Sequence, residues 1–365
     1  MPELSLAQLL RPELRELSAY SPDTGSYAVR LDANEAPDLL SPAARARLAE
    51  VAARTAWNRY PDPRARKLRA AIAARSAVSE DEVLVGVGSD EVISLLLTVL
   101  CQPRGRTTVP TLLTTTPTFV MYKLSAKVRG QRVLEVPLDA DWDISVPAMT
   151  RALSMAPPNL VFVASPNNPT GTQPDPARLD EIIEAAAGAL VVIDEAYADY
   201  AARRHIDLYR KHENVALLRT LSKVGFAALR LGWLIGRPEL VAELDKARLP
   251  YNVATPTQEL ATVVLEELSG ELARVTSHVM AERERVSQAL AALPGVEPTP
   301  SEANFIWLST PLPAERVFEG LKARGVLVRS FHQRGGRLAH RLRVTIGTRE
   351  QNDAFLAALG DELSR

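Results

Sequence analysis

Short apolar runs alternate with segments of helical periodicity through the middle of the chain, from about residue 82 to 236. The runs at 82–87, 160–164, 189–193 and 215–219 are rich in valine, leucine and isoleucine and have the length of buried strands. Strands that are apolar throughout are typical of a sheet covered on both faces, and alternation with helices is typical of parallel pairing. The pattern therefore predicts an α/β fold with a mainly parallel sheet sandwiched by helices.

The pattern changes after about residue 255, where helical segments become longer and strands fewer. The predicted helices cover 256–293 (as one helix or two), 314–324 and 350–363, and the predicted strands cover 304–308, 326–329 and 341–346. Leucines spaced through 4–17 predict one amphipathic helix or two short ones. The C-terminal elements predict a second, smaller α+β domain.

Length and composition narrow the class of protein. At 365 residues the chain exceeds one typical core, which favours two domains. A net charge of −1 gives no reason to expect nucleic acid or an anionic membrane as a partner. The single cysteine, Cys101, excludes an internal disulfide and a cysteine-rich metal site, and no metal site is expected. Because Cys101 ends an apolar helical run, we expect its thiol to be buried.

Neither a leader nor a membrane span is indicated. Residues 1–4 lack the basic-then-apolar pattern of a signal peptide. The longest apolar run, 92–100, is too short to cross a bilayer. These features favour a cytoplasmic enzyme.

Lys223 is the most informative single residue. It follows the predicted strand 215–219 and a hydroxyl-containing turn, and Arg230 comes seven residues later. A lysine placed just after a buried strand is costly unless it has a role, and one such role is an imine with a carbonyl cofactor. Pyridoxal phosphate also needs a partner for its pyridinium nitrogen and a phosphate cradle. Taken alone, the stretch favours a surface lysine beside a turn, and only the motifs that accompany it favour the imine.

Companion motifs follow the other predicted strands. Gly88 and Ser89 form a strand–turn–helix junction typical of phosphate binding, although a tight turn with Ser89 as helix N-cap is the structural alternative. Asn168 lies in a rigid loop between two prolines. Asp194 ends an apolar strand, where a partly desolvated carboxylate requires a cationic partner. Ligands of open α/β sheets bind at these carboxyl ends, so the motifs predict one shared site.

Three of these motifs resemble those of the class I and II aminotransferases of pyridoxal phosphate fold type I: residues 165–171, residues 194–197, and Lys223 with Arg230. More narrowly, the chain is similar to the histidinol-phosphate aminotransferases, and this closer match depends on residues 31–35, 59–63, 117–122, 301–305 and 342–348. The resemblance covers nearly the whole chain. It implies a large cofactor-binding domain over 31–254 and a small domain built from 1–30 and 255–365.

The resemblance also implies roles for the cofactor-site residues. Lys223 would bind pyridoxal phosphate covalently and transfer the substrate proton, and Asp194 would pair with the pyridinium N–H. Asn168 and Tyr197 would hydrogen-bond the phenolic oxygen of the ring. Phe119 would stack on the ring, without the hydroxyl that many relatives have there. The phosphate would be held by Gly88, Ser89, Asp90, Ser222 and Arg230.

Substrate binding and assembly are implied in the same way. Arg343 would bind a substrate anion, and Arg329, Tyr20 and Asn34 match other substrate-site positions. For Arg329 and Tyr20, a surface arginine and a packed tyrosine are the alternatives. Tyr60 would reach the phosphate of a neighbouring subunit, which implies a homodimer with shared active sites. Many relatives have one more residue between the lysine and the arginine, so the loop before Arg230 must be tighter here.

The implied function is amino transfer between histidinol phosphate and 2-oxoglutarate in histidine biosynthesis. An aromatic or broad-specificity aminotransferase and a threonine-phosphate-type decarboxylase carry overlapping motifs. A catalytically silent binding module is the non-enzymatic alternative, and the intact set of Asp194, Lys223 and Arg230 argues against it. The sequence leaves the side-chain specificity open because the shape of the pocket decides it.

Overall fold

The computed structural model describes residues 6–17, 19 and 23–364. Its helices are α1 (Leu6–Leu9), α2 (Pro42–Ala53), α3 (Arg66–Ser76), α4 (Gly88–Val99), α5 (Val120–Val128), α6 (Val146–Met155), α7 (Pro176–Ala185), α8 (Ile206–Lys211), α9 (Pro238–Ala247), α10 (Thr255–Glu266), α11 (Ser269–Ala291), α12 (Ala314–Ala323) and α13 (Arg349–Leu363). Its strands are β1 (Val29–Arg30), β2 (Val83–Val87), β3 (Thr111–Thr116), β4 (Arg132–Pro137), β5 (Leu160–Ala164), β6 (Leu190–Asp194), β7 (Val215–Thr220), β8 (Leu231–Ile235), β9 (Glu297–Pro298), β10 (Phe305–Ser309), β11 (Val326–Leu327), β12 (Arg329–Ser330) and β13 (Arg341–Thr345).

The large sheet has seven strands in the order β2-β8-β7-β6-β5-β3-β4. Strands β7, β6, β5, β3 and β4 are mutually parallel, which confirms the predicted α/β class. Strand β8 is antiparallel to both of its neighbours, β2 and β7. The sequence did not single out β8, because its apolar residues continue the run that follows Lys223.

Helices cover both faces of this sheet, so side chains of alternate residues enter different cores. On β5, Leu160 and Phe162 pack in one core with residues of α4, α5 and α9, whereas Val161 and Val163 pack in the other with residues of α3 and α7. All four side chains are essentially inaccessible to water. Burial of a large apolar side chain contributes roughly 1.5–3 kcal/mol. The two cores therefore fix the strands whose ends form the site.

The C-terminal region forms an antiparallel sheet in the order β12-β13-β10-β9. The segment predicted as one helix or two is two helices, α10 and α11. Strand β1 pairs in parallel with β11, Val29 opposite Val326, so the N-terminal segment joins the C-terminal elements. The proposed domain limits at residues 31 and 255 stay a prediction.

Several local expectations are corrected by the structure. Cys101 is exposed, because α4 ends at Val99 and the thiol lies beyond its buried face. Ser89 is not an N-cap, since α4 begins at Gly88 and Val87 occupies the capping position. Within the described residues 6–17, the chain forms two short elements, an α-helix at Leu6–Leu9 and a 3-10 helix at Pro12–Glu16, and not one continuous helix. No helix in the described part of the chain is long and apolar enough to cross a membrane.

Candidate active site

Three neighbouring parallel strands deliver the central polar residues to one edge of the sheet. Asp194 is the last residue of β6 and pairs with Ala164 of β5 and Leu218 of β7. Asn168 follows β5, and Lys223 follows β7 after a short turn. Lys223 is half-buried, and within the described residues its amine forms no hydrogen bond or ion pair. The predicted convergence of these strand ends therefore exists.

Asp194 is a buried carboxylate with neutral hydrogen-bond partners. Its Oδ2 accepts a hydrogen bond from the Tyr122 hydroxyl at 2.6 Å, and its Oδ1 accepts one from the Ala196 amide at 2.9 Å. Burial raises the pKa of Asp194 to about 6 in spite of these two donors. Within the described residues no cationic side chain pairs with it. The site thus presents an anion that lacks its counter-charge.

Arg230 reaches the start of α4 through strand register. Strand β8 is antiparallel to β2 with Leu231 opposite Val87, so the residues just beyond this pair, Arg230 and Gly88, face each other. A Cβ at Gly88, where φ is +74°, would lie 2.8 Å from Arg230 Nη2. Arg230 Nη1 lies 3.5 Å from Ser222 Oγ. The tighter loop after Lys223 therefore still brings the guanidinium to the amides of α4.

Gly232 permits this close approach and was missed by the sequence reasoning. A Cβ on Gly232 would lie 2.4 Å from the Ser89 nitrogen and 2.5 Å from the Gly88 carbonyl carbon. Backbone atoms cannot yield at such distances, so β8 requires glycine beneath the first turn of α4. A glycine inside an apolar strand is a recognised signal for close backbone approach and could have identified it.

Asn34 is hydrogen-bonded to Tyr197, and Asn168 is hydrogen-bonded to Arg343. Asn34 Nδ2 donates to the Tyr197 hydroxyl at 2.9 Å, and the Thr345 hydroxyl donates to Asn34 Oδ1. Arg343 donates to Asn168 Oδ1 and, at 2.6 Å, to the carbonyl of Asp32. Arg343 and Tyr197 are both buried. Residues that are far apart in sequence therefore meet at one edge.

The remaining predicted residues differ in their surroundings. Phe119 precedes α5 and contacts the Tyr122 ring edge-on, with centroids 5.5 Å apart. Asp90 Oδ2 lies 3.9 Å from Arg230 Nη2. Arg329 is exposed on β12, and Tyr60 is 81% exposed. Tyr20 lies outside the described residues.

Known proteins share this fold and much of this sequence. The family model described as "Aminotransferase class I and II" matches residues 27–359. The chain belongs to this aminotransferase family. It is 42% identical to a histidinol-phosphate aminotransferase of Methylibium petroleiphilum over 98% of this chain and 96% of that one. It is 38% identical to one of Aquifex aeolicus over 97% and 98% of the two chains.

A solved structure agrees with the architecture of this aminotransferase. The histidinol-phosphate aminotransferase of Sinorhizobium meliloti in complex with pyridoxal-5'-phosphate superposes with a TM-score of 0.86. It covers 97% of each chain at 24% identity. At that identity the likeness supports the fold: a mainly parallel sheet flanked by helices.

Pyridoxal phosphate is the cofactor of this aminotransferase, and the described site fits it. The buried carboxylate of Asp194 suits a protonated ring nitrogen, which would supply the missing counter-charge. The start of α4, with Arg230 beside Gly88, suits a phosphate, because free amides and a guanidinium converge there. The unpaired amine of Lys223 suits the aldehyde.

Tyr122 is the second residue that the sequence reasoning missed. It stood within the motif 117–122, but no role was assigned to it. Its ring is fully buried and its hydroxyl contacts Asp194, seventy-two residues away in sequence.

Proposed function

We propose that this aminotransferase transfers the amino group between histidinol phosphate and 2-oxoglutarate in histidine biosynthesis. Relatives named histidinol-phosphate aminotransferase match nearly the whole chain at 38–42% identity, which supports the same substrate class for this chain. A cytoplasmic location stays a prediction.

The pairing of two arginines carries the proposal. Arg329 of β12 and Arg343 of β13 are opposite partners in an antiparallel ladder, so their side chains share one face of the sheet. Like charges placed directly opposite each other are destabilising unless an anion lies between or beside them. Arg343 is tied to Asn168 at the site, whereas no hydrogen bond or ion pair engages Arg329 within the described residues. This arrangement suits a substrate with an anionic group at its end.

Lys223 and Asp194 are proposed as the catalytic pair. Bound pyridoxal phosphate supplies an electron sink that makes the proton on the substrate α-carbon acidic. The Lys223 amine accepts that proton as general base. The Asp194 carboxylate holds a proton on the ring nitrogen through its negative charge. Tyr197, which accepts a hydrogen bond from Asn34, and Asn168, which accepts one from Arg343, would hydrogen-bond the phenolic oxygen of the cofactor.

Phosphate retention is assigned to the start of α4 and its neighbours. The amides of Gly88 and Ser89 donate from the helix N-terminus, with Asp90 in the same first turn. The Ser222 hydroxyl donates as well, and Arg230 binds through its fork of N–H groups. Phe119 would stack on the cofactor ring, and Tyr60 would reach the phosphate site of a partner subunit.

A substrate panel tests the proposed activity. The full chain, loaded with pyridoxal phosphate, is mixed with histidinol phosphate, phenylalanine, tyrosine, glutamate and O-phosphothreonine, and conversion to the amino-loaded cofactor is followed by absorbance. We expect histidinol phosphate to react with the highest kcat/KM, and 2-oxoglutarate to restore the aldehyde form. A higher kcat/KM for aromatic amino acids, or CO2 release from O-phosphothreonine, would contradict the proposal.

A further inference from the structure

Tyr122 is held rigidly by other aromatic rings beneath the site. Its ring stacks on Phe162 with centroids 4.6 Å apart and planes 11° apart, and its edge contact with Phe119 is at 5.5 Å. The side chain is completely buried in the core between the sheet and α4. The hydroxyl position is therefore fixed by packing, so the 2.6 Å bond to Asp194 Oδ2 is preorganised.

The charged surroundings of Asp194 oppose its ionisation. Burial is the main cause that raises the pKa of Asp194, and the carboxylates of Asp90 on α4 and of Glu195, the next residue in the chain, raise it further. The groups that act in the other direction are the Tyr122 hydroxyl and the Ala196 amide. Besides Asp194, Tyr197 and Asp90 are the titratable groups in electrostatic contact with Tyr122. Tyr122 is thus the one side chain in the described part of the chain that donates a hydrogen bond to this carboxylate.

We propose that Tyr122 is a positioning residue that orients the Asp194 carboxylate for the cofactor ring nitrogen and keeps it ionised at neutral pH. With Oδ2 held by the phenol and Oδ1 by the Ala196 amide, the plane of the carboxylate cannot turn. Each oxygen keeps a second lone pair, so a ring N–H can still be bound. The inference rests on the proposed role of Asp194 and is independent of the substrate.

The pH dependence of cofactor binding tests this role. The dissociation constant of pyridoxal 5'-phosphate is measured on the full chain from pH 5 to 9 by fluorescence, together with thermal unfolding. An ionised Asp194 favours binding, so affinity is present above its pKa and is lost as the pH falls through it. A hydrogen bond from a phenol to a carboxylate favours the ionised form of the carboxylate by a factor of about ten or more in the ionisation constant. Tyr122→Phe therefore shifts the acidic limb of the pH profile to higher pH by about one unit, so that binding is about fivefold weaker at the pH of the wild-type midpoint and about tenfold weaker well below it.

Two variants make the test specific. Tyr209→Phe removes the hydrogen bond that another buried phenol donates to a half-buried carboxylate, Glu82, and leaves the acidic limb at the wild-type pH. Asp194→Asn abolishes the part of the limb that belongs to Asp194. The cofactor phosphate titrates in the same way in all variants. Its contribution to the pH profile of affinity therefore cancels when the profiles of the variants are compared.

Each outcome has a defined meaning. A limb that stays in place in Tyr122→Phe, or weakening that is uniform across pH, overturns the proposal and leaves Tyr122 as a packing residue. A limb unchanged in Asp194→Asn overturns the role of Asp194 instead. Failure of the substrate proposal affects neither measurement, because no amino donor is present.

Discussion

At the scale of single residues, two arginines on adjacent strands are distinguished by what holds them. Arg343 is buried and donates to Asn168 and to the Asp32 carbonyl, so its orientation is set before a substrate arrives. Arg329 is exposed and faces the same side of the sheet. We infer that Arg343 contacts every substrate, whereas Arg329 contacts only a substrate long enough to reach it.

This division predicts unequal effects on the two half-reactions. Arg329→Ala lowers kcat/KM for histidinol phosphate about ten- to a hundredfold, because a charge-assisted hydrogen bond contributes roughly 1.5–3 kcal/mol. The reaction with glutamate changes less, and Arg343→Ala impairs both. Stopped-flow measurement of the cofactor absorbance separates the two. Arg316→Ala on α12, an exposed arginine 3.6 Å from Glu362, is the control and leaves both rates unchanged. If Arg329→Ala slowed both half-reactions equally, a specific contact between Arg329 and the substrate phosphate would be excluded.

At the scale of elements, the contact between β8 and the first turn of α4 shapes the phosphate cradle. The antiparallel course of β8 places Arg230 opposite Gly88, and Gly232 lets the helix backbone lie directly on the strand. A parallel strand in this place would enter from the other end and would not deliver Arg230 there. The single reversed strand is therefore a functional feature of the sheet.

Gly232→Ala should disrupt this contact. The added methyl group meets Gly88 and Ser89 backbone atoms at 2.4–2.5 Å, so α4 must move away from β8. We expect a loss of stability of about 1–3 kcal/mol and weaker retention of the cofactor. Gly236→Ala is the matched control, because its Cβ would meet only side-chain atoms, the nearest being Leu240 Cδ2 at 3.2 Å. Thermal unfolding and a pyridoxal phosphate titration of both variants check this, and equal behaviour of the two would refute the argument.

At the scale of the whole molecule, large apolar side chains remain exposed around Tyr60. Tyr60 stacks on Tyr251 with centroids 4.6 Å apart, although the first is 81% and the second 42% exposed. Trp57 and Leu249, close to them in sequence, are 75% and 71% exposed. Clustered apolar surface of this kind is typical of an interaction site. We propose that a second copy of the chain covers it.

Hybrid dimers test whether the active sites are shared. Lys223→Ala and Tyr60→Ala should each be poorly active alone. If Tyr60 acts in the partner's site, a mixed dimer contains one site with both wild-type residues, so mixing the two variants restores part of the activity. Light scattering gives the oligomeric state in parallel. A monomer at the assay concentration, or a mixture no more active than its components, would contradict the shared site.

The sequence by itself determined the class of fold and the order of the site residues along it. Apolar runs separated by helices require a covered parallel sheet, and such a sheet collects Asn168, Asp194 and Lys223 at one edge whatever the details of packing. The local sequence pattern and the rule that ligands bind at the carboxyl ends of parallel strands were enough to predict the positions of these three residues.

Tertiary structure alone decided which side chains meet there. A strand that is apolar on both faces carries no alternation, so its sequence fixes neither its direction nor its neighbour, and the antiparallel course of β8 could not be predicted for that reason. The bonds from Tyr122 to Asp194 and from Arg343 to Asn168 join residues 72 and 175 positions apart. Such contacts follow from packing of the assembled elements, because close-packed side chains from distant segments occupy the same few ångströms only once the fold has formed.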